Sequence, residues 1–180
     1  MTISIFLGIS TIFLIPITAS FNMSKQTNKP MFPTIEAETL SRKKVVFPEI
    51  TKGRYAFILI AFKRQTQGEV DSWLDPFVED FAGREGITFY EIPMISGGWK
   101  WMSSWIDTGM RQGVPQYKHD HVATYYGPLK EYHEYLGIRD TGTVYVFLLD
   151  KQGHIIWRDS GPADEKKYGK LKELIKEVLD

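Results

Sequence analysis

Residues 143–158 read TVYVFLLDKQGHIIWR, and this stretch decides the fold. Its first part, residues 144–149, is a continuous apolar run of the kind that forms a strand covered on both faces. The next four residues, DKQG, supply turn chemistry, because Gly153 can adopt a positive φ. Residues 154–158 predict a second, shorter strand. The stretch therefore predicts a β-hairpin whose first strand is central in a sheet.

Strands and a helix are also predicted before this hairpin. Residues 43–47 indicate a short strand, and residues 54–62 (RYAFILIAF) indicate a buried one. Apolar side chains recur at helical spacing over residues 70–81, where Pro76 predicts a kink or a late helix start. Residues 87–92 (ITFYEI) predict the next strand. The resulting β-α-β order favours a parallel pair joined by a right-handed crossover.

The remaining elements alternate between helix and extended chain. Residues 102–110 indicate a helix, and residues 118–127 (KHDHVATYYG) an extended or loop segment. Pro128 suits the first position of a further helix. After the hairpin, Asp164 is the predicted N-cap of a terminal helix with an apolar stripe.

The composition excludes several classes of function. The 180 residues include 22 basic and 22 acidic side chains, so there is no basic excess and we predict no nucleic-acid partner. The chain contains no cysteine, which excludes disulfides, thiolate catalysis, iron–sulfur clusters and zinc sites that use sulfur.

The N-terminal segment leaves several interpretations open. Residues 2–24 contain no charged side chain, and residues 3–17 are strongly apolar but interrupted by Pro16. The length suits a signal-peptide core or a membrane anchor, yet no Lys or Arg precedes the apolar run. Translation could instead start at Met23, which would make the preceding residues a spurious extension, or the segment could be a buried element.

These observations divide the chain into three parts. Residues 1–24 are a signal peptide, an anchor or an extension, residues 25–33 a linker, and residues 34–180 the folded domain. We expect membrane association or export if the apolar segment is real, and a cytoplasmic location otherwise.

The order of elements and the hairpin sequence together resemble the thioredoxin-like fold over residues 32–180. The resemblance implies an α/β fold, a mixed sheet flanked by helices with a helical insertion between core strands. A more specific set of positions is Trp73-Leu74-Asp75-Pro76-Phe77, His121, Tyr126-Gly127, Tyr132, Tyr135-Leu136-Gly137-Ile138, Tyr145-Val146-Phe147-Leu148-Leu149-Asp150, Gly153, Ile155, Trp157-Arg158, Ser160-Gly161 and Ala163. These positions resemble the mitochondrial ATP synthase assembly factor family, whose yeast member is counted as the tenth ATP-synthase gene, and its bacterial relatives.

The resemblance implies a non-redox assembly or chaperone-type factor without cofactor or catalytic residues, whose partner is a subunit of a membrane complex. Redox-active thioredoxin relatives carry thiols after the first core strand, where this chain has residues 66–68 (TQG). They also carry a cis-proline before the hairpin strand, where this chain has Thr143. Thiol–disulfide exchange and thiol-dependent peroxide reduction both need a thiolate. Thiol-based enzymatic activity is therefore excluded, and residues 63–69 and 97–127 become the expected binding surfaces.

We predict six partner-binding side chains: Trp99, Trp101, His121, Tyr126, Trp157 and Arg158. Trp99 and Trp101 are candidates for an exposed patch that binds a partner or the membrane interface. Core packing is favoured for Trp105, which lies on the apolar face of its predicted helix. Trp157 and Arg158 form either a cation–π pair or part of an edge strand that faces water.

The alternative hypothesis is a thiol-free metal-binding protein or enzyme that uses His119, Asp120 and His121. In an extended segment the two imidazoles would point the same way, about 6–7 Å apart. A usable site needs at least a third ligand. The competing interpretation is a polar loop with one histidine hydrogen-bonded in the core.

Overall fold

The computed structural model describes residues 29–180. Its strands are β1 (Ile35–Thr39), β2 (Lys44–Phe47), β3 (Tyr55–Ala61), β4 (Ile87–Ser96), β5 (Ala123–Gly127), β6 (Tyr145–Leu149) and β7 (Ile155–Ser160). Its α-helices are α1 (Gln67–Phe81), α2 (Ser103–Gly113), α3 (Lys130–Leu136) and α4 (Glu165–Leu179). The strands form one mixed sheet in the order β2-β1-β5-β4-β3-β6-β7. The interpretations of residues 1–24 and the first part of the predicted linker lie outside the described residues.

The predicted hairpin is confirmed as β6 and β7, which pair antiparallel. Every residue of β6 is buried, because β3 lies beside it and apolar side chains cover both faces of the sheet. Phe57 and Leu59 of β3 face α1 and α4, whereas Ile58 and Ile60 face the opposite layer, which includes Leu136 of α3. The apolar runs in the sequence are continuous because both faces of these strands are buried.

The β-α-β unit is confirmed as β3, α1 and β4, with β3 and β4 parallel. Helix α1 already begins at Gln67 and contains Pro76, so the expectation of a late start is wrong. Asp164 is the N-cap of α4, as predicted, and its carboxylate accepts a hydrogen bond from the backbone N–H of Lys167 at 2.7 Å.

The insertion between the core strands contains α2, as predicted, and also strand β5. Strand β5 pairs parallel with β4 and antiparallel with β1, which extends the sheet beyond its thioredoxin-like centre. The sequence predicts only extended chain or loop where β5 forms, and it gives no prediction of β1. Both strands are only five residues long and contain polar side chains, so neither shows the apolar run that marks a central strand.

The end of the predicted linker packs against the hairpin. Met31 forms an isolated antiparallel bridge with His154, and the Phe32 N–H donates to the Gly153 carbonyl at 2.9 Å. Phe32 is buried and contacts Phe147 edge to face, with ring centroids 5.8 Å apart. Residues 31 and 32 are therefore part of the folded unit. Within residues 29–180 no helix has the length and apolar character needed to cross a bilayer.

Candidate functional site

A cleft of about 860 Å³ lies between α1 and α2, at the carboxyl end of β3 and β4. Apolar side chains from the two helices and from β4 line it: Leu74, Pro93, Ile95, Trp105, Ile106 and Met110. No residue of α2 is buried, so its apolar side chains border an open space rather than a core. A cleft of this size and character is typical of a ligand or peptide site.

Glu91 lies in this cleft and is only 7% exposed. Burial, followed by the charge of the nearby Asp71, raises the pKa of its carboxyl group to about 7, and Lys118 acts in the opposite direction. The Lys118 side chain is itself largely buried, and its Nζ contacts the exposed carboxylate of Asp75 at 3.2 Å. Among the residues described, none of the hydrogen bonds or ion pairs ends on the Glu91 carboxyl group.

A hydrogen-bonded clamp fixes the start of α1, directly after residues 66–68, which stand where thiols are expected. A short 3-10 turn, Arg64–Thr66, leads into α1. In the first turn of α1, Glu69 Oε2 accepts hydrogen bonds from the Thr143 hydroxyl at 2.6 Å and from the Val144 N–H at 3.0 Å. The start of the helix is thus tied to the residues that precede β6. Thr143, the residue in the position expected for a cis-proline, therefore takes part in fixing the start of α1.

The predicted tryptophan patch is exposed. Trp99 and Trp101 lie in the 3-10 segment Gly97–Met102, directly before α2, and are 54% and 79% exposed. The expectation that Trp105 packs in the core is wrong, because its side chain is 74% exposed. Its helix covers no part of the core, so a helical apolar face did not imply burial here. The three indoles therefore share one continuous exposed segment.

Two of the other predicted partner residues make internal contacts. The Tyr126 hydroxyl donates to Asp107 Oδ1 at 2.8 Å, and this bond ties α2 to β5. Burial and the adjacent Asp107 carboxyl group both raise the pKa of Tyr126. The His121 ring stacks on Phe89 at a centroid distance of 4.3 Å, and its Nδ1 lies 2.9 Å from the Phe89 carbonyl oxygen.

Trp157 and Arg158 lie on β7, at the far edge of the sheet from the tryptophan patch. Four strand spacings separate β7 from β5, which is about 19 Å. Trp157 packs edge to face on Trp73 at 5.8 Å, and Arg158 is exposed beside Gly137. The structure therefore does not bring all six predicted residues into one site.

The three residues of the metal hypothesis are engaged separately. His119 Nε2 lies 2.9 Å from the Val114 carbonyl oxygen, His121 contacts Phe89, and Asp120 pairs with Lys43 at 2.9 Å. Residues 29–180 contain no cluster of three or more His, Asp or Glu side chains arranged to hold a metal ion. Both histidines lie at hydrogen-bonding distance from a backbone carbonyl oxygen, and His121 is half-buried rather than in the core.

Glu91 and Lys118 are not among the site residues predicted from the sequence. A signal for Glu91 was present, because the glutamate interrupts the apolar strand sequence ITFYEI. A charged residue inside a buried strand is uncommon without a partner or a function. Lys118 gave no comparable signal, since it follows a loop with no periodic pattern.

Comparison with protein families identifies the chain. The family model described as ATP10 protein matches residues 16–178. The chain belongs to the ATP10 protein family. ATP10 family membership implies a role in ATP synthase assembly, in agreement with the resemblance given by the sequence. No match was found among curated proteins.

Solved structures show the fold of this ATP10 family chain. Yeast Sco1 aligns with a TM-score of 0.57 at 14% identity and covers 82% of this chain and 95% of its own. The thioredoxin domain of a thiol-disulfide oxidoreductase from Bacteroides vulgatus gives 0.55 at 16% identity, with 81% and 96% covered. A thiol peroxidase from Chromobacterium violaceum gives 0.56 at 12% identity, with 84% and 87% covered. These matches establish a thioredoxin-like fold in a chain that has no cysteine.

Proposed function

We propose that this protein is a non-redox assembly factor that binds a subunit of a membrane complex of the ATP synthase kind during its assembly. The observation that carries the proposal is the match to the ATP10 family model over residues 16–178. The absence of cysteine supports a binding role, since the thioredoxin-like scaffold here has no thiol with which to react.

The proposed contact surface is the tryptophan patch, Trp99, Trp101 and Trp105. Exposed apolar patches on soluble domains mark interaction sites, and tryptophan contributes strongly to binding where it becomes covered. The patch adjoins the cleft, which Trp105 and the loop residues Lys63 and Arg64 also line. The two segments expected to form the binding surface, 63–69 and 97–127, therefore meet at one place. We also propose that the protein works at a membrane surface, where its client is inserted.

The test is genetic complementation combined with native gel electrophoresis. In cells that lack this gene, we expect the wild-type chain to restore the assembled ATP synthase and the triple variant W99S/W101S/W105S to leave subcomplexes. A loss of assembly in the deletion strain with normal subunit synthesis would support the role.

The matched control is V46S/I50S, which removes two other exposed apolar side chains, each 38% exposed, outside the insertion. We expect this control to restore assembly. Normal levels of assembled ATP synthase in the deletion strain would contradict the proposed role in assembly. If the folded triple variant fully restored ATP synthase assembly, the tryptophan patch would not be the contact surface.

A further inference from the structure

The cleft between α1 and α2 has apolar walls with an unpaired acidic group set into them. Ile106 and Met110 of α2 line it together with Pro93 and Ile95 of β4, and all four side chains are half-buried. None of the α2 residues is buried. Apolar side chains on a helix that covers no core gain free energy when a partner covers them.

Glu91 has no ion-pair partner among the charged side chains that line the cleft within residues 29–180. The lining carries three carboxyl groups, of Glu91, Asp71 and Asp75, and three basic groups, of which Lys118 is the one that acts on Glu91. The Lys118 Nζ contacts Asp75, not Glu91. Glu91 is thus more than nine-tenths buried and has no hydrogen-bonding partner among the described residues. A buried carboxyl group of this kind is costly unless a cation or a donor reaches it.

The other two basic side chains of the cleft lie at its far end. Lys63 and Arg64 are exposed and follow β3, whereas Glu91 is the register partner of Leu59. Lys63 and Arg64 lie beyond the end of β3 at Ala61, and neither forms an ion pair with Glu91 within residues 29–180. The position beside Glu91 therefore remains available for a cation from outside the domain.

We propose that this cleft binds an extended segment of a partner protein in which a Lys or Arg side chain, flanked by apolar residues, pairs with Glu91. The apolar flanks cover Ile106, Met110 and Ile95, and the cationic head group supplies the partner that Glu91 lacks. This inference rests on the proposed function, because the partner is the assembly client, and it names the chemistry that the client presents. Charge complementarity selects this occupant over an uncharged apolar one.

The direct test uses two synthetic peptides and the full-length chain. One peptide has a central arginine flanked by leucines, and the other has citrulline, its neutral isostere, at that position. Calorimetric titration at about pH 8, where Glu91 is ionised, should show the arginine peptide binding about tenfold more tightly or better. Equal affinity of the two peptides, or no binding of either, would overturn the proposal.

Two variants with matched controls locate the binding. Glu91→Gln should abolish the preference for arginine, whereas the exposed Glu85→Gln should retain it. Gly109→Trp should block both peptides, since Gly109 lines the cleft and a side chain there meets open space. Gly169→Trp, at a second open position in a helix, is the control for folding. A persisting preference in E91Q, or unchanged binding in folded G109W, would also overturn the proposal.

A second copy of the chain is the competing occupant. It would appear in sedimentation as a dimer that becomes a monomer in G109W, and this result would likewise contradict the proposal. The outcome is separable from that of the proposed function. If E91Q shows no loss of arginine preference while the wild-type chain still restores ATP synthase assembly, the cleft proposal fails and the assembly role stands.

Discussion

Glu91 shows how one residue can oppose the stability of the domain that contains it. Its carboxyl group is buried beside Asp71, and its pKa is raised from 4.5 to about 7. A raised pKa in the folded state means that folding favours the protonated form. The free energy of unfolding therefore has its full value, as far as Glu91 is concerned, below about pH 4.5. It decreases as the pH rises from there to about 7 and stays at the lower value above that pH.

Replacing Glu91 with glutamine should remove this pH dependence. At about pH 8 we expect E91Q to be more stable than wild type by about 2–3 kcal/mol, because the ionised carboxylate is no longer buried. At about pH 4 the two proteins should have nearly equal free energies of unfolding, since Glu91 is then protonated. Urea denaturation at both pH values measures the difference. The exposed Glu85→Gln variant should have the wild-type free energy of unfolding at both pH values. If E91Q also matched wild type at both, the pKa of Glu91 would not be raised by folding.

At the scale of elements, α1 is fixed at its start by side-chain bonds to other parts of the chain. Glu69 accepts hydrogen bonds from Thr143 and Val144, and Trp73 Nε1 donates to the Gly161 carbonyl at 2.8 Å. The sequence indicated α1 by its apolar periodicity, but it assigned Glu69 no role. Nothing local to a helix specifies which distant backbone N–H a glutamate will reach.

Glu69→Ala should lower the free energy of unfolding by about 2 kcal/mol, because the substitution leaves the buried Val144 N–H without its acceptor. Guanidinium denaturation monitored by tryptophan fluorescence measures the loss. Glu79→Ala, an exposed position on the same helix, is the control and should change stability by less than about 0.5 kcal/mol. If the two variants lose the same amount, the clamp contributes nothing beyond helix propensity.

Helix α2 marks the limit of periodicity arguments. Its apolar spacing led to the prediction that Trp105 packs in the core, yet Trp105 is 74% exposed. Periodicity identifies an apolar face but not what covers it. Here Tyr126 holds the helix on the sheet through Asp107, and the apolar face borders the cleft.

At the scale of the whole molecule, the tryptophan patch lies outside the two core clusters. Trp99, Trp101 and Trp105 belong to neither cluster, whereas Trp73 is fully buried between α1 and the sheet. The three tryptophans of the proposed binding surface therefore contribute little to the free energy of unfolding of the domain. A surface built in this way can lose its aromatic side chains without unfolding the domain.

The triple variant W99S/W101S/W105S should change the free energy of unfolding by less than about 1 kcal/mol, because little of these side chains is packed. Trp73→Ser should cost more than about 3 kcal/mol, through the cavity it leaves and the loss of its bond to Gly161. Thermal and denaturant unfolding of both variants measures the contrast. Strong destabilisation of the triple variant would show that the three tryptophan side chains contribute to the core.

The sequence by itself determined the central part of this protein. Three of its features have a local physical cause: the apolar runs of β3 and β6, the turn at Gly153 and the N-cap Asp164. The absence of cysteine is likewise read directly from the sequence. The order of the elements resembles the thioredoxin-like fold, which the structure confirms, and the absence of cysteine excludes thiol chemistry. The tertiary structure alone decided the cleft, the isolation of Glu91 and the separation of Trp157 from the tryptophan patch. Those features depend on which elements meet across the sheet, and the packing of distant segments is not encoded in any single stretch of the chain.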